Sequence, residues 1–498
     1  MDKAGCSCYN GHRKKNSPGF CRGNLVPIHI LLVKFGFVNI FYPFFERKLF
    51  MDFKTFALVG HPVGHSMSPL LHSRLFALSG VKAHYVALDI APQKLAGYIP
   101  HLRRFDGFNI TIPHKQAIIP MLDSCSGKAA ESGSVNTVKN SGGRLCGYTT
   151  DGMGFRLAIE AAGADLGGKT VILGAGGAAR AIAFELAHAG ACITVATRPH
   201  SANAAKGLCA GIRKSIPEAN VSSCLIPELS GKWDLLVNAT PAGMYPGTES
   251  CAAGEELVKN SGCVFDAVYN PGETVLLSLA RKNGKKTVGG IGMLVGQAAA
   301  SEEIWLGTHF SQKALAHICG EVSLEMKKKF GSVVLCGFMG SGKTTCGRLL
   351  AETAGRKFID MDDYIEKKEH RPVAQIFKDD GEETFRRMER DAVEELSRTG
   401  GLVIASGGGT LLKKENADAF RANNIVVLLD ASLSTVRERL KGDNSRPLLS
   451  GPDSDEKMKC LYAEREPSYH ANSDFTINAD GTPESTVDAI LALLKPAM

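Results

Sequence analysis

Residues 170–180 read TVILGAGGAAR, and residues 332–344 read SVVLCGFMGSGKT. In each stretch a short apolar run leads into a glycine-rich loop, and a helix-compatible run follows. The first loop has the G-x-G-x-x-A form of a dinucleotide-binding turn, whereas the second is a complete P-loop with its lysine and hydroxyl residue. Because both loops join a strand to a helix, the sequence predicts an α/β protein with two nucleotide-binding units of different chemistry.

The composition indicates a globular protein of several domains that acts on small anions. Of the 498 residues, 44% are hydrophobic and 22% are charged, and such a chain predicts about three domain-sized units. The net charge of +7 is modest and both signs are interspersed, which favours anionic small substrates over nucleic acid. Fourteen cysteines without a Cys-x-x-Cys pair predict a reducing compartment, and we expect the cytoplasm.

Residues 1–52 are interpreted as a leader or extension of unknown role. A basic start precedes the apolar stretch 25–45, but His29, Lys34 and Asn39 interrupt that stretch, so no membrane span is expected. A cleaved leader, an over-extended reading frame and import into an organelle all stay open.

The first half carries polar residues that would meet in one cleft. Ser68 precedes Pro69 and a helix-like run, which predicts Ser68 as the N-cap of a helix. With Ser66 it would place two hydroxyls beside the positive end of that helix, where a carboxylate binds well. Lys115 and Asp151 each follow a predicted strand, and on loops they would form a proton-relay pair. Capping alone for Ser68 and an ordinary surface position for Lys115 are the alternatives.

The dinucleotide turn favours NADP over NAD. Gly174 permits the tight reversal, Gly176 lets the backbone approach a pyrophosphate, and Ala179 lets the helix pack closely on its strand. About twenty residues after such a turn, an NAD enzyme places an acid on the ribose. This chain has Thr197-Arg198 there instead, and an arginine suits the 2′-phosphate of NADP.

The P-loop and the residues after it indicate phosphoryl transfer. Lys343 reaches the outer phosphate, and Thr344 is a candidate Mg²⁺ ligand. Asp360 and Asp362 are predicted to end a strand and to point from one side of it, one steadying the metal and the other accepting a proton. The alternative is that Asp360 and Asp362 are ordinary solvent-exposed acids in a turn. Further candidates are Arg386 and Arg465 for a small acid, the glycines 407–409 after a predicted strand at 402–405, and a predicted lid at Ser445–Leu449.

Over about residues 53–307 the chain resembles shikimate dehydrogenase. The resemblance rests on spaced motifs in the family's order: Ser66, Ser68, Asn109, Lys115, Asn136-Thr137, Asp151, the glycine turn, Asn238-Ala239-Thr240 and Gln297. It implies a substrate-binding domain at 53–152, completed by 288–307, around an NADP-binding Rossmann domain at 153–287. It also implies NADPH-dependent reduction of 3-dehydroshikimate to shikimate, with a quinate-using relative as an alternative.

This resemblance assigns roles residue by residue. Ser66 and Ser68 would hold the substrate carboxylate, and Lys115 and Asp151 would be the catalytic pair. The other substrate-binding residues would be Asn109, Thr111, Asn136, Gln297 and, beside the nicotinamide, Tyr269. The NADP-binding residues would be Gly174, Ala175, Gly176, Gly177, Ala178, Thr197, Arg198, Thr240 and Gly290. Thr149 and Thr197 stand where the family commonly has Asn. These two differences bear on the affinity for substrate or cofactor more than on the reaction class.

Across residues 331–495 the chain resembles shikimate kinase, whose fold is a five-stranded parallel sheet with helices on both faces. The resemblance implies that shikimate is bound by Asp362, also the candidate base, and by Arg386, Gly408 and Arg465. Thr344 and Asp360 would hold Mg²⁺. The ATP-binding residues would be Gly340, Ser341, Gly342, Lys343, Thr344, Thr345 and, from the lid, Arg446.

Together the two halves predict a bifunctional enzyme that uses NADPH, ATP and Mg²⁺ to convert 3-dehydroshikimate to shikimate and then to shikimate 3-phosphate. Residues 308–330 are predicted to be a linker before a kinase domain at 331–498. No nucleic-acid or membrane partner is expected, and a homo-oligomer stays open. The alternative function is a non-catalytic sensor of shikimate-pathway metabolites, although the chemistry-bearing residues Lys115, Asp151, Lys343, Asp360 and Asp362 are all present.

Overall fold

Three β-sheets organise the part of the chain that the computed structural model describes, residues 53–64, 66–441 and 454–495. The predicted leader at 1–52 and the predicted lid with Arg446 lie outside the described residues. From Phe53 onward the chain forms one compact unit. No described helix is both long enough and apolar enough to cross a bilayer.

The first sheet is mixed, and its strands are β1 Lys54–Gly60, β2 Ala83–Asp89, β3 Gly107–Ile110, β4 Ser124–Cys125, β5 Thr137–Ser141 and β6 Arg144–Tyr148. Its helices are α1 Ser68–Ser79, α2 Leu95–Leu102 and α3 Gly127–Ser132. The order across the sheet is β2-β1-β3-β5-β6-β4, with β1 parallel to both β2 and β3. The last five residues of β1 are buried, as in a parallel strand covered on both faces. The carboxyl ends of β1 and β3 therefore open on the same edge.

The second sheet is parallel throughout, and its strands are β7 Lys169–Leu173, β8 Cys192–Thr197, β9 Val221–Leu225, β10 Trp233–Asn238, β11 Ser261–Asp266 and β12 Lys286–Gly289. The helices of this region are α4 Asp151–Ala161, α5 Gly177–His188, α6 Ala202–Ser215, α7 Glu255–Lys259 and α8 Val275–Lys282. The order is β12-β11-β10-β7-β8-β9. Because the connections run outward on both sides from β7 and β10, a crevice opens at the carboxyl ends of these two strands. This is the Rossmann arrangement that the glycine turn predicts.

Two long helices follow, α9 Gly290–Leu306 and α10 Gln312–Phe330. Helix α9 packs along α4 and also contacts α1 and α10. Helix α10 occupies most of the predicted linker, and its buried Ile318 and Val322 share a core with Leu71 of α1 and Val295 of α9. This segment is therefore packed against the helices that carry site residues.

The third sheet is parallel, and its strands are β13 Val333–Cys336, β14 Lys357–Asp360, β15 Leu402–Ala405, β16 Ile425–Asp430 and β17 Phe475–Asn478. Its helices are α11 Lys343–Ala354, α12 Met361–Glu369, α13 Val373–Ser397, α14 Lys414–Asn423, α15 Leu433–Leu440, α16 Ser454–Asn472 and α17 Pro483–Leu494. The order is β14-β15-β13-β16-β17, and β13 and β15 are buried along their whole length. The prediction of an α/β protein with a five-stranded parallel P-loop sheet is confirmed.

Candidate active sites

A first cleft lies between the first and second sheets. The residues predicted to bind substrate or cofactor that line it are Ser66, Ser68, Asn109, Thr111, Lys115, Asn136, Asp151, Ala178, Tyr269, Gly290 and Gln297. They come from strand β3, from the loops after β1, β3 and β11, from the segment before β5, and from helices α1, α4, α5 and α9. The fold thus brings together residues that are spread over more than two hundred positions of the chain.

The lysine and aspartate predicted as a catalytic pair meet in this cleft. Lys115 Nζ donates to Asp151 Oδ2 at 2.5 Å, and Asn136 Nδ2 donates to Asp151 Oδ1 at 2.8 Å. The side chains of Lys115 and Asp151 are 19% and 10% exposed. Both therefore reach the cleft, while the rest of each side chain is buried. Such a pair can pass a proton to or from a substrate oxygen, and Asn136 fixes the carboxylate while it does so.

The two serines lie at the start of α1, but Ser68 is not its N-cap. The helix begins at Ser68, and Met67, in a helical conformation, takes the capping position without a side-chain bond. The prediction failed because the backbone turns helical one residue earlier than Pro69 suggests. Ser66 Oγ instead accepts the Ser68 N–H at 3.1 Å and lies 3.1 Å from Ser68 Oγ. Both hydroxyls therefore belong to the cleft wall.

Buried partners fix the amide of Asn109. Tyr85 Oη donates to Asn109 Oδ1 at 2.7 Å, while Asn109 Nδ2 donates to Asn136 O at 3.1 Å and Ser301 Oγ at 3.0 Å. These contacts leave a lone pair of Oδ1 for a substrate hydroxyl. Sequence reasoning missed Tyr85 and Ser301, because a tyrosine in a strand and a serine in a helix give no signal of their own.

A buried histidine–glutamate pair, His72 and Glu302, packs against Tyr85 and so supports the contact of Tyr85 with Asn109. His72 Nδ1 lies 3.0 Å from Glu302 Oε1, and the imidazole stacks on the Tyr85 ring with centroids 4.2 Å apart. Burial lowers the pKa of His72 to about 3 and raises the pKa of Glu302 to about 9, so both groups are neutral at pH 7. A neutral pair avoids the cost of placing charges in the core next to Asn109.

The glycine turn has the geometry that a dinucleotide needs. Gly174 has φ +105°, and a Cβ on it would lie 2.9 Å from Thr240 Cγ2, so only glycine fits. A Cβ on Gly176 would meet nothing within 4 Å, which leaves its backbone open to a phosphate. At the end of β8, Thr197 Oγ1 is buried without a hydrogen-bond partner among the described residues, and Arg198 is exposed. An unpaired hydroxyl beside an exposed arginine fits an anionic nucleotide group.

A second cleft lies at the carboxyl edge of the third sheet. The predicted site residues that line it are Gly340, Gly342, Lys343, Thr344, Thr345, Asp360, Asp362 and Gly408. Thr344 Oγ1 donates to Asp360 Oδ2 at 2.9 Å, which joins the two predicted Mg²⁺ ligands. A hydroxyl and a carboxylate in contact form an oxygen donor set that suits this hard cation. The cleft also contains Arg439, which sequence reasoning missed and whose Nη1 donates to Ser341 O at 3.3 Å.

Asp360 and Asp362 do not share a strand. β14 ends at Asp360, and Asp362 lies in the first turn of α12, where its N–H donates to Asp360 Oδ1 at 3.1 Å. The strand prediction failed because Asp360 is a good N-cap and starts a helix directly. Although the Asp362 side chain contacts solvent, enclosure by the cleft and the charges of Asp360 and Glu389 raise its pKa to about 6. An acid with this pKa is suited to accept a proton near neutral pH.

The two arginines predicted to bind shikimate, Arg386 and Arg465, contact different parts of the structure. Within the described residues, neither Arg386 nor Arg465 lines the second cleft itself. Arg386 Nη1 pairs with Glu389 at 3.0 Å, and a Cβ on Gly409 would lie 2.8 Å from that nitrogen, so the guanidinium abuts the glycines of the cleft. Arg465 lies on α16, one turn before Tyr469, whose hydroxyl donates to Gly408 O at 2.5 Å.

Comparisons with known proteins match the two parts of the chain to two different families. A family model described as shikimate dehydrogenase substrate binding domain matches residues 58–138, and one described as shikimate kinase matches residues 339–495. The shikimate dehydrogenase (NADP(+)) of Caldanaerobacter subterraneus subsp. tengcongensis is 40% identical over 265 residues, 52% of this chain and 94% of the relative. That of Moorella thermoacetica is 43% identical over 262 residues, 50% of this chain and 87% of the relative.

A solved structure gives the same likeness. The chorismate mutase/shikimate 5-dehydrogenase fusion protein from Clostridium acetobutylicum is 33% identical, with a TM-score of 0.51. The match covers 56% of this chain and 100% of that one.

Proposed function

This chain belongs to the shikimate dehydrogenase family, and we propose that it reduces 3-dehydroshikimate to shikimate in its first cleft and phosphorylates shikimate in its second. The observation that carries the proposal is the pair of clefts, one with Lys115 and Asp151 in contact and one lined by Lys343, Thr344 and Asp362. The match of residues 339–495 to shikimate kinase supports the second reaction. The hydroxyl that the first reaction forms is the group that the second one phosphorylates.

In the first cleft the residues of this chain orient the ring and move a proton. Bound NADPH supplies the hydride, as in the NADP(+)-dependent relatives. Ser66 and Ser68 hold the substrate carboxylate at the start of α1, and Asn109 accepts a bond from a ring hydroxyl. Lys115 then gives a proton to the carbonyl oxygen as it becomes an alkoxide, while Asp151, itself fixed by Asn136, holds the ammonium in place.

In the second cleft the residues of this chain hold phosphate and activate the acceptor. Thr344 and Asp360 would hold Mg²⁺, which when bound would neutralise the charge of ATP, the phosphoryl donor. Lys343 stabilises the transferring phosphate, and Asp362 takes the proton of the attacking hydroxyl. Its raised pKa makes it a better base than an ordinary aspartate.

Assays on the purified full chain test the proposal directly. Shikimate-dependent reduction of NADP⁺ and shikimate-dependent release of ADP should both occur, and 3-dehydroshikimate with NADPH and ATP should yield shikimate 3-phosphate. Ligand binding without turnover in either assay would instead favour the metabolite sensor. Quinate with NAD⁺ should support little turnover, because Arg198 favours the 2′-phosphate of NADP over the NAD that quinate-using relatives prefer.

Location and domain limits are part of the same proposal. The described cysteines are all free, which supports a reducing compartment such as the cytoplasm. We propose domains at 53–152 with 288–307, at 153–287 and at 331–498, joined by 308–330. Size-exclusion chromatography with light scattering tests whether the chain forms a homo-oligomer.

A further inference from the structure

The kinase part of the chain holds a loop of the dehydrogenase part through one asparagine. Asn423, the last residue of α14, lies within the segment that matches shikimate kinase. Its Oδ1 accepts the Glu273 N–H at 2.8 Å, and its Nδ2 donates to Glu273 O at 2.8 Å. A single side chain thus pairs with both polar backbone groups of one residue 150 positions away.

Glu273 belongs to the loop of residues 267–274, which connects β11 to α8 and carries Tyr269 into the first cleft. Asp266 fixes both ends of this loop within the dehydrogenase part, since Asp266 Oδ1 accepts the Val268 N–H at 3.0 Å and Oδ2 accepts the Thr274 hydroxyl at 2.6 Å. The part of the loop nearest the kinase instead contacts α14. A Cβ on Gly272 would lie 3.9 Å from Asn423 Oδ1 and 4.0 Å from Ala422 O.

The same loop forms the wall between two cavities. Tyr269 lines both the first cleft and a cavity at the boundary of the two parts, and Gly272 and Asn423 line that boundary cavity. Val268 and Thr274 are buried and Tyr269 packs against the core that α1, α9 and α10 share, whereas residues 270–273 are only partly buried, so hydrogen bonds help to decide where this middle part of the loop lies. The bonds from Asn423 act at the loop's outer end, a few residues beyond Tyr269.

Among the described residues, the other hydrogen bonds and ion pairs across this boundary do not involve the backbone of loop 267–274. Lys282 at the end of α8 pairs with Glu394 of α13 at 2.6 Å, but both side chains are about half exposed. Thr248 Oγ1 donates to Arg398 O at 3.3 Å from a different loop. An exposed ion pair contributes little to position, whereas two bonds to the backbone of one residue fix both distance and direction.

We propose that Asn423 is a positioning residue for the dehydrogenase reaction: from the kinase part it holds loop 267–274, and with it Tyr269, against the first cleft. The inference rests on the proposed function, because Tyr269 matters to substrate or coenzyme only if that cleft is the dehydrogenase site. It makes the dehydrogenase site of this chain dependent on the kinase part to which it is joined.

The test compares Asn423→Ala with two controls in the full chain. Lys414→Ala alters an exposed side chain on the same helix, and Lys282→Ala breaks the ion pair across the same boundary. Asn423→Ala should raise the dehydrogenase KM for shikimate or NADP⁺ about threefold to tenfold, as expected for the loss of two hydrogen bonds. Its kcat should change less, and its kinase constants should stay within about twofold of wild type, which also shows that the kinase part is folded. Both controls should behave as wild type.

Hydrogen–deuterium exchange gives a second readout that does not need turnover. Peptides covering residues 267–274 should exchange faster in Asn423→Ala than in wild type and in both controls. Unchanged exchange and unchanged KM in Asn423→Ala would overturn the inference, and so would an equal effect of Lys282→Ala. If wild type itself lacks dehydrogenase turnover, the proposed function fails, while the exchange result still decides whether Asn423 holds the loop.

Discussion

Lys115 and Asp151 lie 36 positions apart in the sequence, yet their charged atoms meet at 2.5 Å in the first cleft. Lys115 comes from the connection after β3, whereas Asp151 is the first residue of α4. The contact leaves the ammonium oriented toward the same space that Ser66 and Gln297 border. A substrate carbonyl in that space would find its proton donor already positioned.

Replacing this lysine should separate the two activities. Lys115→Ala should lower dehydrogenase kcat about 10²-fold to 10⁴-fold, because a positioned proton donor is lost. Kinase turnover of the same preparation should remain within about twofold, since no residue of the second cleft is touched. Lys128→Ala, which removes an exposed lysine paired with Glu185, is the matched control. Equal loss of both activities would contradict separate sites.

Kinase activity should depend on the protonation of Asp362. A base acts when deprotonated, so kcat/KM should fall as the pH drops through its raised pKa of about 6. Asp362→Asn should lower kcat about 10²-fold or more and remove this acid limb from the residual rate. Asp363→Asn, at the exposed neighbouring position, should leave the profile unchanged. An acid limb that survives in Asp362→Asn would assign the base elsewhere.

Arg386 should act on the acceptor rather than on ATP. Arg386→Ala should raise the kinase KM for shikimate about tenfold to a hundredfold, because charge-assisted hydrogen bonds to a carboxylate are lost. The KM for ATP should stay near wild type, and the exposed neighbour in Arg387→Ala serves as the control. A rise in the KM for ATP alone would show that Arg386 does not bind the acceptor.

The buried Glu302 should make folding stability fall as the pH rises. Its folded pKa of about 9 exceeds the ordinary 4.5, so between these values the folded state retains a proton that the unfolded state has released. The neutral carboxyl contributes its full stabilisation below the unfolded pKa of 4.5. This contribution is lost as the pH rises toward the folded pKa of about 9. Between pH 6 and 9 the loss should be on the order of 4 kcal/mol, at about 1.4 kcal/mol per pH unit until the folded pKa is approached.

A neutral substitute should remove this dependence. Glu302→Gln should unfold at similar denaturant concentrations at pH 6 and 9, whereas Glu302→Ala should cost about 2–4 kcal/mol at pH 7 through a cavity and an unpaired His72. Tryptophan fluorescence can follow the transition, since Trp305 lies 5.4 Å from the His72 ring. Glu303→Gln, at a partly exposed neighbouring position, is the control. If its pH profile flattened as much as that of Glu302→Gln, the dependence would not come from burial.

Local sequence patterns were enough to predict the two phosphate-handling loops and the elements around them. Gly174 and the P-loop glycines are dictated by local backbone geometry, and helix α11, Lys343–Ala354, follows the P-loop as the helix-compatible run after it predicts. Such features depend on neighbours within a few positions, so a pattern of residues is enough to predict them. Of the residues that carry the resemblance to shikimate dehydrogenase, those that line the first cleft are Ser66, Ser68, Asn109, Lys115, Asn136, Asp151, Ala178 and Gln297.

Features that depend on distant partners emerged only from the packing of the folded chain. Ser68 begins a helix rather than capping it, and Asp362 lies on a helix rather than on a strand. The Tyr85–Asn109 bond joins two strands, and Asn423 pairs with Glu273 across 150 positions. No local pattern encodes these pairs, because which side chains meet is set by how the sheets and helices pack.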